Sequence, residues 1–384
     1  MSRPMKIGFL CNEYPPANHG GIGSFTRVLA RALVRAGHEV RVLGVVPPGE
    51  QAEDYEEDRG VRVWRVRRSL RTPGWLAARF LLARTAMRWA RRGEIDILEA
   101  PDYQGWVAGW PRLPVPVVLR LHGSSAYFAV EMGGSARGGL YWLERAALER
   151  ADFICSSSFY TARRTRAIFP DITPEIFVLH NSVDVPELVP RERSAAEVVF
   201  TGTLAEKKGI FSLARAWATV APDCPGATLH VYGKDGRTRN GESAVAAFRR
   251  ELNGAGESVR FHGHVPHEVL FGALSRARVS VLPSYAEAFA LAPLEAMAHG
   301  CPTIYSRRGS GPELIRDGLD GLLVDPDNPA EIAAAIRRVL ASDELAARLG
   351  ENGRRRVLEE YRSDVVVRRN EAWYMECQER FHSH

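Results

Sequence analysis

Short apolar runs, each closed by glycine, proline or a polar turn, recur along the whole chain, and an amphipathic stretch follows most of them. In the first half these runs are Lys6–Cys11, Val40–Val46, Ile95–Ala100, Val115–Leu121, Asp152–Cys155 and Ile176–Leu179. In the second half they are Val198–Gly202, Thr228–Gly233, Val259–Gly263, Val279–Leu282, Cys301–Ser306 and Gly321–Val324. Continuous apolarity over so few residues marks strands buried on both faces, which belong to parallel sheets. Parallel neighbours need a crossover, and the intervening helices supply it. The alternation therefore fixes the class as α/β with doubly wound, Rossmann-like sheets. At 384 residues the chain exceeds one ordinary core, so two domains are expected, divided by the polar, proline-rich stretch 186–195.

Composition narrows the setting. No apolar run approaches the ~20 residues that span a bilayer, and Met1–Leu10 enters a strand without a cleavage pattern. Five cysteines (Cys11, Cys155, Cys224, Cys301, Cys377) show no metal-ligand spacing, and Cys11 and Cys155 end strands like small buried hydrophobes. A reducing cytoplasm is expected. The net charge of +5 is uneven: Arg59 to Arg92 holds eleven arginines and no acid. A helix from Pro73 to Arg92 would pack Trp75, Leu76, Phe80, Leu82, Ala83, Met87 and Trp89 on the sheet, with arginines outward. That face is either a solvated surface or a basic aromatic face resting on anionic lipid. No nucleic-acid-binding module accompanies the charge.

Candidate chemistry gathers at the strand ends. The loop Asn12–Gly23 follows the first strand and carries Gly20 and Gly21 at a helix start. It serves either as an ordinary turn or as backbone that an anion can approach. Its glycines lack dinucleotide-fingerprint spacing, so a nicotinamide cofactor is not expected. His122 ends another strand, as a structural residue or a site residue. In the second half, Lys208 beside Gly209 at a helix start suits a diphosphate. After Val279–Pro283 comes Ser284–Gly300, with Glu287 in a loop and Glu295 on a helix whose first turn holds Pro293 and whose end is Gly300. Carboxylates there either complement the helix dipole or accept hydrogen bonds from sugar hydroxyls. Asp325-Pro-Asp327 opens a helix and is not read as a metal site.

The string Glu287-Ala-Phe-Ala-Leu-Ala-Pro-Leu-Glu295 resembles the E-x7-E motif of the retaining family-4 (group 1) glycosyltransferases, and Gly311-Pro-Glu-Leu-Ile and Asp317–Val324 continue the likeness. Gly20-Gly21 with Gly37-His-Glu-Val, and His180-Asn-Ser-Val-Asp184, resemble the same family's N-terminal half. The resemblance implies the GT-B architecture, two Rossmann-like doubly wound domains facing a central cleft. The expected boundaries are 1–188 for the acceptor domain, 195–360 for the donor domain, and a C-terminal helix, 361–384, crossing back to the first. It also implies roles. Glu287 would bind donor-sugar hydroxyls and Glu295 the ribose. Amides of Phe289, Ala290 and Leu291 would hold sugar and diphosphate. Lys208, with Gly20 and Gly21, would neutralise the leaving group, His122 would lie near the sugar and β-phosphate, and the base would stack at Gly263, His264 and Val265. The catalytic set would be Glu287, His122 and Lys208.

Three departures stand out. Ala288 and Ala290 replace the family's glycines, Thr203 replaces its diphosphate-binding arginine, and Ser182 replaces a common glycine. Lys207 or Arg307 could restore the charge missing at Thr203. The implied reaction moves a hexose from a UDP- or GDP-sugar to the hydroxyl of a glycan or lipid-linked sugar, with retention and without a metal or other cofactor, in bacterial surface polysaccharide or glycolipid assembly. The implied location is the cytoplasm, in contact with the inner face of the cell membrane, and nucleic acid is not expected as a partner. Two alternatives share the architecture: a non-hydrolysing nucleotide-sugar epimerase, and a catalytically weak sugar-nucleotide-binding subunit.

Overall fold

The structure is a computed structural model that describes residues 4–16, 20–46, 49, 53–67, 74–187 and 194–383. Arg68, Arg71, Pro73, the middle of the glycine loop (17–19) and most of the expected linker (188–193) lie outside the described residues. The chain divides into two compact units, Met1–Ser182 with Ser363–His384, and Val183–Arg362. The division falls at Ser182–Val183, ahead of the proline-rich stretch, because the Val183 N–H bonds to the Tyr361 carbonyl at 3.0 Å.

In the first unit the strands are β1 (Lys6–Leu10), β2 (Glu39–Val46), β3 (Tyr55–Asp58), β4 (Val61–Arg67), β5 (Ile97–Pro101), β6 (Val117–Leu121), β7 (Phe153–Ser156) and β8 (Ile176–Val178). They form one sheet in the order β3-β4-β2-β1-β5-β6-β7-β8. Every pairing is parallel except the β3–β4 hairpin. Strand order reverses between β1 and β5, and crevices at such switch points, outside the carboxyl ends, are where α/β sheets bind ligands. Helix Gly21–Arg35 follows β1 and buries Phe25, Leu29 and Leu33. The C-terminal helix Ser363–His382 packs beside it and belongs to this unit.

The buried anchor of that helix is a polar network. Arg120 on β6 is fully buried and bidentate to Glu99 on β5, at 2.7 and 2.8 Å. Its guanidinium also donates to the Leu179 carbonyl at 3.2 Å and to Asn370 Oδ1 at 2.5 Å. Tyr374 completes the set, its hydroxyl donating to Glu99 Oε2 at 2.7 Å. A buried charge pair is tolerated when its remaining donors and acceptors are met in this way.

The second unit holds β9 (Glu197–Thr201), β10 (Thr228–Tyr232), β11 (Val259–Gly263), β12 (Val279–Leu282), β13 (Thr303–Ser306) and β14 (Leu322–Val324), all parallel, in the order β11-β10-β9-β12-β13-β14. Its switch point lies between β9 and β12. Side chains alternate between the two faces: Val198 and Phe200 enter one apolar cluster, and Val199 with Tyr232 another.

Helix Gly74–Arg91 corrects one expectation. Trp75, Leu76, Phe80 and Leu81 face outward, whereas Ala78, Leu82, Ala83, Ala86 and Trp89 pack on the sheet. Arg79 turns inward, donating to the carbonyls of Gln104 and Gly105 at 2.6 Å each. Arg65 is also buried, donating to the carbonyls of Tyr14 and Pro15 at 3.3 and 3.5 Å, and its partner Glu56 lies at 2.6 Å. These two arginines are internal ties, not part of a basic surface.

Candidate active site

At the second unit's switch point the loops after β9 and β12 are tied together. Tyr285 and Ala286 donate their N–H groups to the Lys207 carbonyl at 2.7 and 3.3 Å. Gly209 (φ +69°) closes the turn that carries Lys208, and a Cβ there would collide with the Pro283 carbonyl. Only glycine fits at that φ and that closeness. The two loops bring Lys208 Nζ onto Glu287 Oε1 in an ion pair between residues 79 positions apart. Gly309 (φ +62°), after β13, lies against the Glu287 carbonyl, with its Cβ position 3.0 Å from that oxygen.

Glu295 lies in the second turn of helix Leu291–Ala298, behind the pair. Burial pushes its carboxyl up to about 7, against the opposing pull of Lys208. No side-chain hydrogen bond caps this helix start at Ala290. Ala288 and Ala290 are both buried, Ala290 has φ −82°, and Ala288 is not among the positive-φ residues. Alanine is therefore unstrained at both positions. Gly263 ends β11 at φ +68° with open space beside it, and its carbonyl accepts the Gly233 N–H at 2.8 Å. His264 beyond it is exposed and Val265 half-buried.

Thr203 is exposed, and the nearby Glu206 holds Arg239 at 2.8 Å. Arg307 is occupied by Glu331 and by the Leu323 carbonyl. Arg308 pairs with Asp325 at 3.1 Å and with Asp327, and lies 5.4 Å from the Tyr285 ring. The two aspartates thus hold an arginine, and no group of three potential metal ligands occurs among the described residues. Burial lowers the pKa of Lys207, and the charge of Glu287 works against that lowering.

The first unit's switch point carries the other residues. Gly20 precedes helix Gly21–Arg35, and its N–H donates to Glu13 Oε2 at 2.9 Å. Neither Gly20 nor Gly21 has a positive φ, and nothing lies within 4 Å of the Cβ position at Gly21. The Glu13 carboxylate thus sits at the helix start, 3.1 Å from the Gly20 Cβ position. The loop is held from the β3–β4 hairpin: Asp58 accepts from the Tyr14 hydroxyl at 2.7 Å and from Arg31 Nε at 2.9 Å. His122 follows β6, its N–H donating to Asp102 Oδ1 at 2.8 Å and its ring 5.0 Å from that of Phe25. Burial, and then the charge of Arg120, drive the imidazole down to about 3, so it is neutral near pH 7.

Asp102 escaped the sequence reading. It follows β5 directly at the switch point, is buried, and leaves Oδ2 without a partner. Burial pushes its carboxyl up to about 7, against the His122 N–H and with Glu144 adding to the rise. An acid closing an apolar strand was the available signal.

The family model described as "Glycosyl transferases group 1" matches residues 189–356, and "Glycosyl transferase 4-like domain" matches residues 20–181. The chain belongs to the group 1, family-4 glycosyltransferases. The glycogen synthase of Mycobacterium tuberculosis is 28% identical to this glycosyltransferase, over 94% of this chain and 92% of its own. Among solved structures, sucrose-phosphate synthase from Thermosynechococcus elongatus matches with a TM-score of 0.79 at 24% identity, covering 96% of this chain and 98% of that one. HepE from Anabaena, in complex with UDP and glucose, matches at 0.71 and 18% identity over 97% and 100%. These likenesses establish the GT-B fold, and the family establishes an enzyme of the glycosyltransferase class.

Proposed function

We propose that this glycosyltransferase moves a hexose from a nucleoside-diphosphate sugar to a hydroxyl of a glycan or lipid-linked acceptor, with retention of configuration and without a metal ion. The observation that carries the reading is the meeting of Lys208 and Glu287 at the β9/β12 switch point, with Glu295 on the helix behind. Glu287 would accept hydrogen bonds from sugar hydroxyls, Glu295 from the ribose, and Gly263–Val265 would carry the base. The large demand of glycosyl transfer is to stabilise a departing diphosphate. Lys208, Lys207 and the amides of Phe289, Ala290 and Leu291 answer it with fixed charges and donors. In the first unit, neutral His122 and the helix start at Gly20 and Gly21 are the groups we assign to sugar and phosphate. The attacking hydroxyl enters on the leaving-group side, where a phosphate oxygen takes its proton.

The glycogen synthase relative favours a glycan acceptor, and the UDP- and glucose-bearing neighbour favours a uridine nucleotide. Bacterial surface polysaccharide or glycolipid assembly, at the cytoplasmic face of the membrane, is the setting we propose. No helix among the described residues is long and apolar enough to cross a membrane. Helix Gly74–Arg91 instead exposes Trp75, Leu76, Phe80 and Leu81 ahead of Arg84, Arg88 and Arg91, a face suited to anionic lipid.

A thermal-shift panel of UDP-glucose, GDP-mannose and ADP-glucose tests the donor. A true donor at 100 times its Kd stabilises by about 2.7 kcal/mol. No response to any sugar nucleotide would sink the proposal. Epimerised donor appearing without acceptor would redirect it to the epimerase reading.

A further inference from the structure

Phe25 is a fully buried ring that none of the roles above uses. It lies on the helix that Gly20 and Gly21 open, one turn into it. Two residues of the β6 strand end meet this ring, the Arg120 guanidinium at 5.1 Å and the His122 imidazole at 5.0 Å with a 56° tilt. Arg120 cannot move away, because Glu99, Leu179 and Asn370 hold its nitrogens. His122 differs: its backbone N–H is fixed by Asp102, yet no hydrogen bond among the described residues engages its ring. The orientation of the imidazole is therefore left to packing, and Phe25 supplies the ring that it packs on.

We propose that Phe25 is a positioning residue that orients the His122 imidazole and shields it from water, so that the helix opened by the glycine pair also sets the histidine. The proposal rests on the reading of His122 as a site residue. Among the described residues, the charges about His122 are Arg120 on its own strand, which acts on the ring, and Asp102 from the end of β5, which holds the backbone N–H and is itself acted on by Glu144. The helix Gly21–Arg35 contributes the apolar ring. Exchanging the ring for a flexible side chain admits water and releases the imidazole without altering those charges.

The test uses the full chain with ¹⁵N-labelled histidine, the His122 resonance being assigned by its loss in His122→Gln. In Phe25→Leu the His122 titration midpoint moves up toward the ordinary histidine range. Turnover, followed as nucleoside diphosphate released from the panel's active sugar nucleotide, falls about 10- to 100-fold, with donor KM within about two-fold, since small misplacements of a catalytic group act on kcat. The double variant Phe25→Leu/His122→Gln is no slower than His122→Gln alone. Phe25→Met replaces Phe25→Leu if the latter fails to fold. An unmoved titration, or losses that add in the double variant, overturns the proposal. Full activity in His122→Gln overturns the reading of His122 instead, while the titration still reports whether Phe25 sets the ring.

Discussion

Glu287 and Glu295 sit eight positions apart in sequence, yet their surroundings differ enough to predict different losses. Glu287 is held by Lys208, so Glu287→Ala removes the acceptor we propose for the sugar and frees the lysine. Its expected signature is a kcat decrease of about 10²–10³-fold, the scale for removing one group that stabilises a transition state. Glu295→Ala should instead weaken donor binding by about 1.5–3 kcal/mol, the worth of a hydrogen bond to a charged group, read by calorimetry. Glu295 also predicts a pH dependence. Burial pushes its carboxyl up to about 7, and in the role we propose only the ionised form would accept two ribose hydroxyls. Donor affinity should tighten from pH 6 to 8, and Glu295→Gln should flatten that profile. The linked stability term has the opposite sense: the raised carboxyl favours the fold below its unfolded range, and this contribution is lost as pH rises through 7.

Elements carry the next predictions. The turn at Gly209 aligns Lys208 with the β12 loop, so Gly209→Ala meets both a disfavoured φ and the Pro283 carbonyl. A destabilisation of roughly 2–5 kcal/mol follows, visible as a lower Tm together with weaker donor binding. For helix Gly74–Arg91, neutralising Arg84, Arg88, Arg91 and Arg92 should reduce sedimentation with phosphatidylglycerol vesicles by about 1 kcal/mol per residue. Binding that stays constant in the variant and in high salt would dismiss the lipid surface. The inner parallel strands were legible because burial on both faces leaves near-continuous apolar runs. Strand β3, Tyr-Glu-Glu-Asp, was not, since an edge strand with one solvated partner carries no such pattern. The rotation of helix Gly74–Arg91 was illegible for another reason. It is apolar around much of its circumference, and only tertiary contacts decide which side the sheet takes.

At the scale of the molecule, the likeness of the Glu287–Glu295 string to a known motif foretold the family, and the residues alone foretold only two α/β sheets. What could not be read was the network of Glu99, Arg120, Asn370 and Tyr374, whose members lie up to 275 positions apart. Charges at that separation show no spacing to recognise. The network predicts how fragments behave. Residues 183–362 alone should fold and respond to sugar nucleotide in thermal shift. Residues 1–182 alone should lack cooperative melting, because Arg120 loses Asn370 and Glu99 loses Tyr374. A sharp transition in that fragment would contradict the prediction. The same network bears on biosynthesis. Tyr374 leaves the ribosome long after β5 and β6, and at ~5–20 residues per second the wait is about 13–55 s. The second unit is therefore finished first, and the unit that begins the chain is completed last. Until then Arg120 and Glu99 have only each other and a backbone carbonyl. Nascent chains should be most open to proteolysis and chaperone capture in residues 1–182, the part made first.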